Sequence, residues 1–162
     1  QFHSMEVQSG WNTLSSFLVP KWKTLQSALG THLAQVQFIS DGRDIYYPPS
    51  GMVALEYWTA NTSLVLKANS NFTISLEGLP VDDFAFDLSE GWNLLPVPVP
   101  CYVSPADISI SPPGNLKAIK SIAGSEVYWP DHEIFALDLL IPGNAYLIYL
   151  TGETTITFES CK

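Results

Sequence analysis

The triplet Gly-Trp-Asn occurs twice in this chain, at 10–12 and again at 91–93, and internal similarity of this kind decides how every other residue is parsed. The match extends backwards, with MEVQSGWN (5–12) on FDLSEGWN (86–93). After a small slip in register it resumes forwards: IYYP (45–48) lies on VYWP (127–130), ALEYW (54–58) on ALDLL (136–140), and SNFTISLEG (70–78) on GETTITFES (152–160). The pattern predicts two diverged repeats, 2–80 and 83–162, each near the lower size at which a chain buries its own core. The link LEGLPVDDF (76–84) leaves little slack, which predicts that the two pack as one compact module.

Period-two alternation of apolar and polar residues dominates both parts. HSMEVQ (3–8), LAQVQFI (33–39), TSLVLKA (62–68), DDFAFDL (82–88), AYLIYL (145–150) and TTITFES (154–160) all read as strands bounded by Gly, Pro, Asn and Ser. Helical signal is confined to PKWKTLQSALG (20–30) and to SPADI (104–108), where Ser104 can cap and Pro105 can open a helix that the PPG at 112–114 must end. The fold class predicted is mainly β: two pseudo-symmetric repeats of short antiparallel strands, as a sandwich or a barrel, with one short helix per repeat. Within Gly-Trp-Asn, glycine permits a tight turn, the Asn amide can bond nearby backbone, and Trp11 and Trp92 are expected to be core anchors.

Acidic residues outnumber basic ones 16 to 7, so a nucleic-acid backbone would be repelled. No apolar run reaches the length of a membrane helix, which argues against membrane insertion. Cys101 and Cys161 flank the second repeat without metal-ligand spacing; a disulfide between them is expected, and with it a secreted or cell-surface setting. His3, His32 and His132 stand in unrelated segments, so no metal and no cofactor is predicted. There is no GxSxG elbow, and the paired carboxylates at Asp82-Asp83, Asp41/Asp44 and Asp87/Glu90 sit in turns, where Asp is favoured for backbone reasons. Catalytic residues are therefore expected to be absent.

The order of Gly-Trp-Asn, a Pro-rich strand, a short helix, SIAG (121–124), VYWP and LLIPGNAYLIYL (139–150) resembles the tandem Gly-Trp-Asn repeat region of large secreted proteins from Bacteroidetes-type bacteria. The resemblance implies an accessory role beside the catalytic, lectin-like or adhesive domains of a larger parent. It transfers no catalytic residue.

Two functions fit the residues. One is carbohydrate binding by exposed rings, with Trp58, Tyr57, Tyr47, Asn61, Trp129 and Tyr128 as candidates and a neutral glycan as the expected partner, given the acidic balance. EYWTANTS (56–63) and DLLIPGNA (138–145) are where the repeats differ most, so Tyr57 and Trp58 draw particular interest; alternation sends one of them inward and the other outward. The other function is a scaffold with no ligand. A row of exposed rings on one face would favour the first, and burial of nearly all aromatics the second.

Overall fold

A computed structural model of the protein describes residues 1–122 and 124–162; Ala123, inside the SIAG stretch, lies outside the described residues. Short strands, most of three to six residues, alternate with tight turns, and all pairings among them are antiparallel.

They form four small sheets. The first joins β1 (Phe2–Val7), β8 (Phe72–Pro80) and β3 (Leu18–Pro20) in the order β1-β8-β3. The second runs β2-β7-β4-β5-β6, with β2 Gly10–Leu14, β7 Leu64–Ala68, β4 Val36–Ser40, β5 Ile45–Tyr47 and β6 Met52–Val53. A third sheet, β11-β16-β9, uses Ser109–Ser111, Thr154–Thr157 and Ala85–Leu88. The fourth runs β10-β15-β12-β13-β14, with β10 Gly91–Pro96, β15 Ala145–Leu150, β12 Leu116–Lys120, β13 Val127–Trp129 and β14 Ile134–Phe135.

The four sheets are disposed as a four-bladed propeller. This corrects the expectation of two repeats folded as a sandwich or barrel. Alternation identifies a strand and its buried face, but carries no information on how many separate sheets the strands divide into. Of the one short helix expected in each part, the first forms and the second is corrected. Leu25–Leu29 is helical, with Thr24 Oγ1 accepting from the Ser27 N–H at 3.1 Å and Leu25 and Leu29 buried one turn apart. SPADI makes only a 3-10 turn, Pro105–Asp107, because the residues that would extend it, Ser109–Ser111, pair with β16 instead.

Two buried clusters hold the sheets. One draws Met5, Val7, Ile74 and Leu76 from the first sheet and Leu14, Ile39, Leu64 and Leu66 from the second, with Trp58 among them. The other joins Ile156 of the third sheet to Leu95, Ile119, Ile148 and Leu150 of the fourth. Between these bodies runs a polar seam. Thr13 Oγ1 donates to the Ala145 carbonyl (2.8 Å) and accepts from its N–H (3.1 Å). The Ser15 N–H donates to the Gly143 carbonyl at 2.8 Å, and Ser15 Oγ accepts from Val97 N–H at 3.2 Å. Beside the seam His3 is buried, bonded through Nδ1 to Ser16 Oγ at 3.1 Å, and burial pushes its pKa below the ordinary histidine value.

Cys101 and Cys161 form a disulfide, which ties the segment after β10 to the chain end after β16 and agrees with an oxidising, extracellular environment. No helix among the described residues is long and apolar enough to cross a membrane.

Candidate aromatic binding face

The Gly-Trp-Asn triplet is a device for presenting a ring. Gly10 and Gly91 adopt φ of 99° and 98°, a region that disfavours any side chain, and turn the backbone into β2 and β10. Asn12 Nδ2 then donates to the carbonyls of Gln8 (2.7 Å) and Gly10 (3.0 Å), while Asn93 Nδ2 donates to those of Ser89 (2.7 Å) and Gly91 (3.1 Å). With both neighbours spent on the turn, tryptophan points outward. Trp11 is 50 % and Trp92 55 % exposed, so the expectation that they anchor the core is corrected. Strand parity is the reason: the buried leucines of these strands, Leu14 and Leu95, share a face with the asparagine and not with the tryptophan, and on the tryptophan's face of β10 only the last residue, Pro96, is buried.

Each outward tryptophan heads a row of side chains crossing its sheet. In the fourth sheet Trp92 pairs with Tyr149, Tyr149 pairs with Ala118, and Trp129 follows one residue beyond the Ile119–Tyr128 pair. In the second sheet the row is Trp11, Lys67, Phe38 and Tyr47. The third member decides the shape. Phe38 fills the second-sheet row, with its ring 5.8 Å from Trp11 and 6.4 Å from Tyr47. Ala118 leaves the space empty, and a groove of about 630 Å³ opens between Trp92, Tyr149 and Trp129.

The groove's polar rim comes from Lys117, Lys120, Asp131 and His132. A β-bulge between Leu116 and Ala118 lets Lys117 join Ala118 in lining it. Lys117 Nζ pairs with Asp131 Oδ2 at 3.2 Å, Lys120 Nζ lies 6.0 Å from the Trp92 ring, and His132 meets the Trp129 ring edge-on at 4.1 Å. The Trp92 and Tyr149 rings are 5.1 Å apart. On its other side Trp92 borders a polar cleft lined also by Asp41, Arg43, Asn61, Ser63 and Asn93.

The structure gathers only part of the candidate set. Trp129 lines the groove, while Tyr128, half-buried, packs against Phe135 and the core. Trp58 is 1 % exposed and lies within the first buried cluster, which corrects its expected place on a sugar platform. Its neighbour Tyr57 is 54 % exposed but bridges to Thr24, away from the groove. Tyr47 belongs to the filled second-sheet row, and Asn61 lines the cleft with its Nδ2 donating to the Asp83 carbonyl at 3.3 Å. Sequence reasoning missed Trp92, Ala118, Lys117 and Lys120. Counting back by twos from Leu95 would have found Trp92 outside; nothing in the sequence marks Ala118, whose role is the space it leaves.

Among the described residues no group of three His, Cys, Asp or Glu side chains is placed to hold a metal ion. The face and the fold together define a small β module with an open aromatic groove. No family model, no curated protein and no solved structure matches the chain.

Proposed function

We propose that the protein is a non-catalytic glycan-binding module of a secreted or cell-surface protein, and that it binds through the Trp92, Tyr149 and Trp129 rings. One observation carries this reading: three exposed rings flank an open groove where the other five-stranded sheet has a phenylalanine. Flat rings offer their faces to the C–H face of a pyranose, at about 1 kcal/mol per stacked ring, and the polar rim supplies hydrogen bonds that choose among sugars. Dissociation constants from micromolar to millimolar follow. A non-catalytic role is supported by the rim chemistry. Glycoside hydrolysis by the usual route needs two carboxyl groups across the bond, and among the described residues the groove is lined by one carboxylate, Asp131, which is held by Lys117. The disulfide and the doubled Gly-Trp-Asn pattern support an accessory place in a larger exported protein, of the Bacteroidetes-type class that the sequence resembles.

A second reading, a spacer packed against neighbouring domains, is favoured by exposed apolar residues on the outermost strands, Met52 and Val53 of β6 and Ile134 and Phe135 of β14. Binding separates the two. Isothermal titration against a panel of oligosaccharides should give affinity that falls about fivefold in Trp92→Ala and in Trp129→Ala and is kept in Trp11→Ala. A protein that binds no member of the panel, or for which all three variants bind as the parent does, leaves the spacer reading.

A further inference from the structure

Seven basic residues serve the whole chain against 16 acidic ones, yet three of the seven line the two hollows that meet at Trp92. Lys117 and Lys120 are in the groove, and Arg43, the chain's single arginine, is in the cleft on the other side of the ring. The carboxylates lining the same hollows are Asp41 and Asp131. Asp131 is paired with Lys117, and Asp41 turns its Oδ1 to the N–H groups of Arg43 (2.9 Å) and Asp44 (2.7 Å). Among the described residues Arg43 and Lys120 form no ion pair. Glu90 and Glu126, on the turns flanking β10 and β13, line neither hollow. The Trp92 face therefore carries an excess of positive charge in a protein of net charge −9, with one uncommitted cation on each side of its central ring.

We propose that this face selects anionic glycans, and specifically a polysaccharide bearing uronate residues, one sugar stacking at Trp92 while its carboxylate or a neighbour's reaches Lys120 or Arg43. The inference rests on the glycan-binding reading and reverses the neutral partner that overall charge suggests. Net charge sets the long-range field, but a contact inside the screening length of about 8 Å is governed by the groups that touch it. Arginine's planar fork matches a carboxylate with two parallel hydrogen bonds, which favours a uronate over a ligand recognised by point charge alone. The acidic remainder of the surface repels a polyanion that does not engage the face, so selection and exclusion come from the same distribution of charge.

The test uses the intact chain, with EDTA present. Oligogalacturonate and alginate oligomers are titrated beside their carboxyl-reduced counterparts, with dextran sulfate as a polyanion that carries sulfate in place of carboxylate. At least one uronate probe is expected to bind about tenfold or more tightly than its reduced form. Arg43→Gln and Lys120→Gln should each lose about three- to tenfold for that probe alone, and Trp92→Ala should lose affinity for both forms. Equal affinity for charged and reduced probes, or binding of the reduced ones only, overturns the uronate inference and leaves glycan binding standing. Binding of dextran sulfate as tightly as the uronates, with Trp92→Ala unaffected, also overturns it in favour of diffuse charge attraction. No binding to any probe, charged or reduced, counts against both.

Discussion

Single residues decide whether this surface is open or closed, and they were unequally legible. The Gly-Trp-Asn triplet announces a turn in the sequence, and its Gly and Asn do what their chemistry allows at both places. The orientation of Trp was also available, from the parity of Leu14 and Leu95, but a large apolar ring beside a core strand invites the opposite assignment. Trp58 and Tyr57 show how local the decision is: alternation separates them, and only packing determines that Trp58 is the buried one. The seam depends on another single residue. Gly143 has φ of +94°, and a Cβ there would meet His3 Nε2 at 3.0 Å and Met5 Cγ at 3.2 Å. Gly143→Ala is expected to destabilise the protein by about 2 kcal/mol or more, through backbone strain added to crowding of a buried ring. Chemical denaturation of the variant and parent measures this, and equal midpoints would remove His3 and Gly143 from the seam's account.

At the scale of elements, strand existence was well marked and strand partnership was not. Alternating segments such as FTISLEG and AYLIYL become β8 and β15, each flanked by a strand on both sides. The sequence of Ser109–Ser111 suits a helix end or an edge strand, and its choice is made by β16, which has an open side to pair. Two-residue strands such as β6 and β14 exist only as partners of β5 and β13, so no local pattern announces them. The disulfide was readable because two cysteines allow one pairing. It closes a loop of 60 residues between Cys101 and Cys161. Loop-closure entropy for that length is about 4 kcal/mol, so the Cys101→Ser, Cys161→Ser double variant should melt on the order of 10 °C below the parent. Thiol titration of unreduced, denatured protein should find none, and a variant that melts with the parent would mean the bridge adds nothing to the fold.

For the whole molecule, the two five-stranded sheets follow the same order of pairing but expose different rows, Trp11-Lys67-Phe38-Tyr47 against Trp92-Tyr149-Ala118-Trp129. Their arrangement with the two three-stranded sheets as four blades was hidden, because it depends on which strands break apart rather than on any strand's own pattern. The aromatic groove was hidden for a related reason: its rings come from β10, β15 and β13, and its defining feature is the lack of a ring at Ala118 on β12. That absence makes the account testable by one substitution. Ala118→Phe writes into the fourth sheet the residue that the second already accommodates, so folding is expected to be kept to within about 1 kcal/mol by thermal denaturation. Affinity for whichever glycan the parent binds is expected to fall at least about tenfold, because the phenylalanine ring would occupy the place of the sugar. A folded Ala118→Phe protein that binds the glycan as tightly as the parent would contradict the groove as the binding site.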